Sequence, residues 1–330
     1  MIRARLLFVM LLLLTAVSLV FALAHGSVVI SWEMLWQILT GKESGVMATI
    51  VWDLRLPRAA SAFVVGGLLA LAGTLMQVLL RNPLADPYIL GVSGGAAVMA
   101  LAAMLLGLGA VWVKGGALLG ALVSMLLVFG LAHGRGQWTS TRLLLTGVVV
   151  AAGWGALISF LLAISPERNL RGMLFWLMGD LGHEPASMLS WLVLLFGFVV
   201  AFALARPLNL LVRGESQAAA LGVDVPPLRI GLYFLASLLT AMAVTLAGSI
   251  GFVGLIVPHI LRLLVAADHR VLLPAAVLLG GSLLLLADTL ARTLLAPQQL
   301  PVGVVTALIG VPAFLWLLYR SAGVSGRNSE

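Results

Sequence analysis

Long apolar blocks, separated by short polar or Gly/Pro-containing breaks, dominate this chain. A membrane-spanning helix needs roughly 20 mainly apolar residues. By that measure the pattern predicts ten spans, at 6–24, 59–80, 89–109, 115–132, 143–164, 187–205, 228–250, 252–266, 271–296 and 303–319. The first follows Arg3 and Arg5 and ends in Ala22-Leu23-Ala24, which looks like a signal-peptide cleavage site. Its apolar run of 19 residues exceeds the usual 7–15 or so of a signal peptide, so a retained first helix is expected. The span at 89–109 opens on Gly91-Val92-Ser93-Gly94-Gly95, and 252–266 is too short to cross alone. Such segments point to backbone buried against protein or lining a cavity, not facing lipid. The largest remaining loops, 25–58, 165–186 and 206–228, leave no room for a catalytic domain. Residues 1–330 therefore read as one transmembrane domain.

Composition agrees with the pattern. Hydrophobic residues make up 62% of the chain and charged residues 9%, against about 25% charged in a soluble domain. That excludes a soluble enzyme and a disordered chain. There is no Cys, which excludes disulfides, thiolate metal sites and Cys nucleophiles. The net charge of +7 gains meaning from topology. With ten spans and a cytoplasmic N-terminus, both termini and the even-numbered loops face the cytoplasm. That side holds twelve Arg against five acids, and the other holds seven cations against seven acids. All of the excess lies inside, as the positive-inside rule requires. It is not a signal for a nucleic-acid partner.

Much chemistry is absent. No G-x-x-x-x-G-K-[ST] cradles a nucleotide and no H-E-x-x-H binds zinc. Acids within spans are scarce, which disfavours an ion-coupled carrier. The best candidate, Asp288, has Arg292 one helical turn on, a spacing that reads as structural neutralisation.

Five strings stand out. At the outer mouth of the second span, Arg55-Leu56-Pro57-Arg58 places Pro57 in a first helical turn and two Arg on one face. Interfacial snorkelling is the plain reading. Docking of a partner's carboxylates is the other, because the topology rule disfavours Arg on this side. Second, Gly67, Ala70 and Gly73 allow close helix approach, and Pro83 and Pro87 force a break before the glycines at 91–95. Third, the inner loop 206–228 carries Arg213, Gly214, Glu215, Ala218, Ala219, Leu221 and Gly222. Residues 215–221 read as a short helix closed by Gly222 at C′, either lying on lipid or plugging into a cytoplasmic partner. Fourth, Pro258-His259, Arg262 and Asp268-His269-Arg270 offer two His ten residues apart, read as capping and anchoring groups or as haem contacts. Fifth, Ala287-Asp288 and Arg292 precede Leu300-Pro301, Gly303 and Gly310-Val311-Pro312, and add a third outer Arg.

Together these strings resemble the permease subunits of bacterial ABC importers for iron–siderophore complexes, haem and vitamin B12, the FecCD type. The resemblance runs over about residues 55–318 and keeps the family's order of strings. It is especially close to the vitamin B12 branch at 273–274, 285–292 and 300–317, strings that recur in the siderophore branch. Gly94-Gly95 and Val311-Pro312 are mild departures from the family's usual pairs. The resemblance implies an all-α polytopic type II importer fold with ten helices per subunit, in the bacterial inner membrane. It implies a homodimer around a central path, two cytoplasmic ATPase subunits and a periplasmic binding protein. Outer arginines at positions matching Arg55, Arg58 and Arg292 are expected to receive acids of the binding protein. The loop matching 209–224 is expected to couple to the ATPase, and Asn82, Leu84 and Ser140 to form the cytoplasmic gate. No cofactor is expected on this chain, because ATP and Mg belong to the partner ATPase.

The expected function is thus transport, not catalysis: import of an iron chelate (siderophore–iron or haem), with vitamin B12 as the alternative cargo. An ion-coupled carrier and a membrane-embedded enzyme are the readings from other classes.

Overall fold

A computed structural model describes residues 2–133, 139–182, 185–264 and 268–325. Arg135, Glu184, Arg327 and Glu330, four of the charges that orient the chain, lie outside these residues. The described residues are helical, with no strand among them. In order they form α1 (Ile2–Ala24), α2 (Trp32–Leu39), α3 (Val46–Thr49), a π-helical turn (Ile50–Arg55), α4 (Leu56–Leu79) and a 3-10 turn (Pro87–Leu90). There follow α5 (Val92–Leu105), α6 (Ala110–His133), α7 (Ser140–Ile164), α8 (Glu167–Met178), α9 (Met188–Ala203) and α10 (Ala205–Leu211). The last five are α11 (Glu215–Ala220), α12 (Val225–Ala247), α13 (Val253–Leu264), α14 (His269–Thr293) and α15 (Val302–Ser325).

Each of the ten apolar blocks falls on a helix, but not all are full spans. Among the described residues, six helices are long and apolar enough to cross a membrane: Ala4–Ala24, Val46–Leu79, Ala110–His133, Ser140–Ile164, Val225–Ala247 and His269–Thr293. The pair α9–α10, bent by 62°, makes a seventh if counted as one. Of the other three blocks, two fall on the shorter apolar helices α5 and α13, and the last on Val302–Trp316 within the longer α15. The expected count of ten full spans is therefore not reproduced by helix length.

The shortness of α5 and α13 has a visible cause. The chain enters α5 and α13 through non-helical backbone packed inside the bundle. Gly254 at the head of α13 lies against Pro87 and the Leu69 carbonyl of α4. The Tyr88 hydroxyl accepts the Ile250 N–H at 3.0 Å, so the two lead-in segments satisfy one another. Irregular backbone survives in a membrane protein only under such cover.

The span expected at 59–80 begins earlier than its apolar run. Helix is continuous from Val46 to Leu79. Pro57 has no N–H to give, and its ring crowds the carbonyl one turn back. The chain meets this with the widened π turn at Ile50–Arg55 instead of ending the helix.

α4 is the central post and is buried along nearly all of its length. Lipid tails are as apolar as Leu, so close packing, not hydrophobic exclusion, holds helices together here. A Cβ at Gly73 would overlap the Gly254 carbonyl of α13, and one at Gly66 would overlap the Gly280 carbonyl of α14. A Cβ at Gly67, singled out with Gly73 by spacing, would instead meet side chains, Val277 at a tight 3.2 Å and Leu194 at 3.4 Å.

Candidate functional site

At one end of the bundle, the three arginines expected to meet a binding protein line one cavity of about 430 Å³ with Asp53, Gln299 and the Gly26–Val28 turn. Each is held differently. Arg55 is 5% exposed and gives its guanidinium to the carbonyls of Leu23, at 2.6 Å, and Val28. It thereby ties the end of α1 to the π turn. Arg292 is 7% exposed and donates through Nε to Asp288 at 3.0 Å. Arg58 reaches the same carboxylate with Nε at 3.1 Å and Nη2 at 2.9 Å, and Gln299 with Nη1 at 3.1 Å. Asp180 stands 4.0 Å from Arg58. Asp288 is only 1% exposed, so two cations neutralise a buried acid. The i,i+4 pair read from the sequence is present, and Arg58 is the partner that spacing did not show. Of the three, Arg55 and Arg292 are buried, and Arg58 keeps more of its side chain at the surface, 15% of it.

On the opposite side, α11 forms as its sequence indicates. Gly222 N–H bonds Ala219 O at 3.0 Å and Val223 N–H bonds Ala218 O at 3.0 Å, a Schellman closure around Gly222 at φ +85. Ala219, Leu221, Gly222 and Arg213 are exposed, and Leu221 is 63% so. Ala218 instead faces inward and is fully buried, so it seats α11 on the bundle.

The three gate candidates sit together. Asn82 Oδ1 accepts the Leu84 N–H at 2.9 Å, forming a tight turn that leaves Leu84 exposed. Ser140, first residue of α7, donates to the Leu79 carbonyl at 3.3 Å, just before that turn. Two residues outside the expected set join gate to α11. Glu215 Oε1 lies 3.2 Å from Arg229 Nη1 and 3.7 Å from Arg81 Nη2, and Arg229 Nη2 donates to Ser140 Oγ at 3.3 Å. Arg229 was visible in the sequence only as one cytoplasmic charge among many.

The two histidines part ways. His269 is 1% exposed, and Asn209 Oδ1 accepts its N–H at 2.9 Å and lies 2.6 Å from its Nδ1. Asn209 Nδ2 donates to Asp268 Oδ1 at 2.8 Å, and Asp268 also caps α14 through the Arg270 N–H at 3.0 Å. These bonds hold Asp268 below the ordinary carboxylate range, the Asn209 amide contributing most. The cluster pins α10 to α14, which is the capping reading. His259 packs edge-on against Phe314 with ring centres 5.7 Å apart. Among the described residues no group of His, Asp or Glu has metal-binding geometry.

A bundle of apolar helices, with a short exposed helix, α11, wired to one end through Glu215, defines a polytopic membrane protein. The chain belongs to the FecCD transport family, which it matches over residues 13–320. It is an ABC importer permease. It is 41% identical over 302 residues to the hemin transport system permease protein HmuU of Yersinia pestis, covering 89% of this chain and 90% of that one. It is 44% identical over 307 residues to the cobalamin import system permease protein BtuC of Halobacterium salinarum, covering 89% and 82%. A solved structure described as an inward-facing metal-chelate type ABC transporter superposes with a TM-score of 0.86 and 35% identity, over 96% of this chain and 99% of that one.

Proposed function

We propose that this permease imports an iron chelate, haem or a siderophore complex, as a homodimer fed by a periplasmic binding protein and powered by two copies of a separate cytoplasmic ATPase. The observation that carries the cargo is the 41% identity to a hemin permease across nine-tenths of both chains. The 44% identity to a cobalamin permease supports vitamin B12 as the second reading. Both cargoes are large metal chelates, so the same permease scaffold suits either. The homodimer is supported by α7, which buries only Leu143, Gly147 and Val150 within its own chain and so has apolar surface for lipid and a partner copy to share. Cytoplasmic termini are supported by the charge distribution.

In this reading Arg58 meets a carboxylate of the binding protein, while Arg55 and Arg292 hold the outer rim from within. Arg213, Gly214, Glu215, Ala219, Leu221 and Gly222 present α11 to the ATPase, and buried Ala218 seats it on the permease. Asn82, Leu84 and Ser140 close the cytoplasmic end. ATP binding then shifts the bundle between outward- and inward-open states.

Titration of the cognate binding protein with haem, a ferric siderophore and cobalamin tests the cargo. Tight binding of an iron chelate with none of cobalamin is expected. Cobalamin bound alone replaces the first reading with the second.

A further inference from the structure

We propose that Arg229 is the positioning residue that carries movement of α11 to the cytoplasmic ends of α4 and α7. The proposal rests on α11 being the ATPase-coupling helix.

Three elements meet at this guanidinium, and a fourth is reached through Ser140. Arg229 sits on α12 and is 6% exposed. Its Nη1 lies 3.2 Å from Glu215 of α11 and its Nη2 donates to Ser140 of α7 at 3.3 Å. The Ser140 hydroxyl in turn donates a hydrogen bond to the Leu79 carbonyl, at the end of α4. A planar guanidinium holds its donors at fixed angles, so the two arms cannot move independently as they would on a Lys ammonium. Burial weakens water's screening of the ionic arm.

The mechanics follow from what flanks α11. Gly214 at φ +130 and Gly222 at φ +85 bracket it, and both conformations favour glycine. The six-residue helix between them can tilt as one piece. Its ties to the bundle are buried Ala218, at the middle, and the Glu215 carboxylate, at the leading end. A pull on Glu215 therefore loads Arg229 and Arg81. Arg81 adjoins the Asn82–Leu84 turn, and Arg229 holds the first residue of α7. Both are gate candidates, reached through one carboxylate. The plainer role for Glu215 is an acid in a helix's first turn, favoured by the helix dipole. Two arginines from outside α11 converge on it, and that role does not require them.

Because the chain has no Cys, labels can be placed at will. Spin labels on Thr141→Cys and Gln217→Cys, in the purified permease without ATPase, report the α7-to-α11 distance. The wild-type background should give one narrow distribution, and Arg229→Gln a broad one. In the full complex with its ATPase and loaded binding protein, Arg229→Gln should keep hydrolysing ATP but move about tenfold less substrate per ATP. Arg229→Lys should recover part of that loss, and Ser140→Ala, with the ion pair intact, should show an intermediate loss. If Arg229→Gln does not assemble, Arg229→Lys and Ser140→Ala carry the test. A wild-type ratio of transport to hydrolysis in these variants overturns the proposal, as does an unchanged distance distribution. A wild-type complex that hydrolyses ATP without transport contradicts the coupling role of α11 instead, and the spin-label distances still decide whether Arg229 ties α11 to α7.

Discussion

Arg58 of α4 grips the buried carboxylate of Asp288 on α14 across 230 residues of sequence, with Nη2 at 2.9 Å and Nε at 3.1 Å. Arg292 holds the other oxygen at 3.0 Å. Removing the acid strands two largely buried cations. Asp288→Ala is therefore expected to destabilise the permease by about 3–5 kcal/mol, and Asp288→Asn by less. Denaturant unfolding of the purified protein measures this, and an Asp288→Ala variant as stable as wild type would show that the cluster holds nothing together.

Gly73 and Gly254 touch backbone to backbone at the crossing of α4 and α13. Gly73→Ala must force the helices apart, at an expected cost of about 1–3 kcal/mol. Gly153→Ala on α7 is the control, because nothing lies within 4 Å of its Cβ position. Thermal unfolding should separate the two. Equal melting temperatures would contradict the tight crossing.

Leu221 is exposed and Gly222 adopts φ +85. Leu221→Ala should change stability by less than about 0.5 kcal/mol. It should nonetheless weaken capture of the ATPase subunit in pull-down, because only an outside partner uses that side chain. Gly222→Ala should strain the closing turn of α11 by about 1 kcal/mol and weaken capture too. Undiminished capture by both variants removes α11 from the ATPase contact.

Asp268 is held below its ordinary value of 3.8, first by Asn209 and then by the Arg270 N–H. A carboxyl depressed on folding adds stability above its unfolded pKa and loses it as pH falls through its folded one. Wild type should therefore lose melting temperature between about pH 5 and 3 more steeply than Asn209→Ala, in which the depression is reduced. Parallel curves for the two proteins would contradict the link between α10 and α14.

The parts legible in the sequence are those set by local chemistry. Residues 215–221 carry their own stop at Gly222, and the apolar blocks needed only counting. Other helices outside the long apolar blocks leave a weaker trace. α2 and α8 lie in segments taken as plain loops, although Ser31 caps α2 and Leu170, Met173, Leu174 and Leu177 recur at helical spacing in α8. The site was legible in part. Arg55, Arg58 and Arg292 do share one cavity, but spacing shows neither that Arg55 bonds backbone carbonyls about 30 residues away nor that Arg58 bonds Asp288. A carbonyl carries no residue identity, and a pair of side chains 230 apart leaves no periodic trace. The same holds for Arg229, whose partners lie on α7 and α11.

The central claim is that this chain passes its cargo only when a separate ATPase drives it. Proteoliposomes holding the permease, its ATPase and saturating loaded binding protein measure this directly, as labelled chelate taken up with ATP present. Uptake that requires ATP, ATPase and binding protein together, and that is indifferent to proton and sodium gradients, is predicted. Uptake by the permease alone along an ion gradient would contradict it.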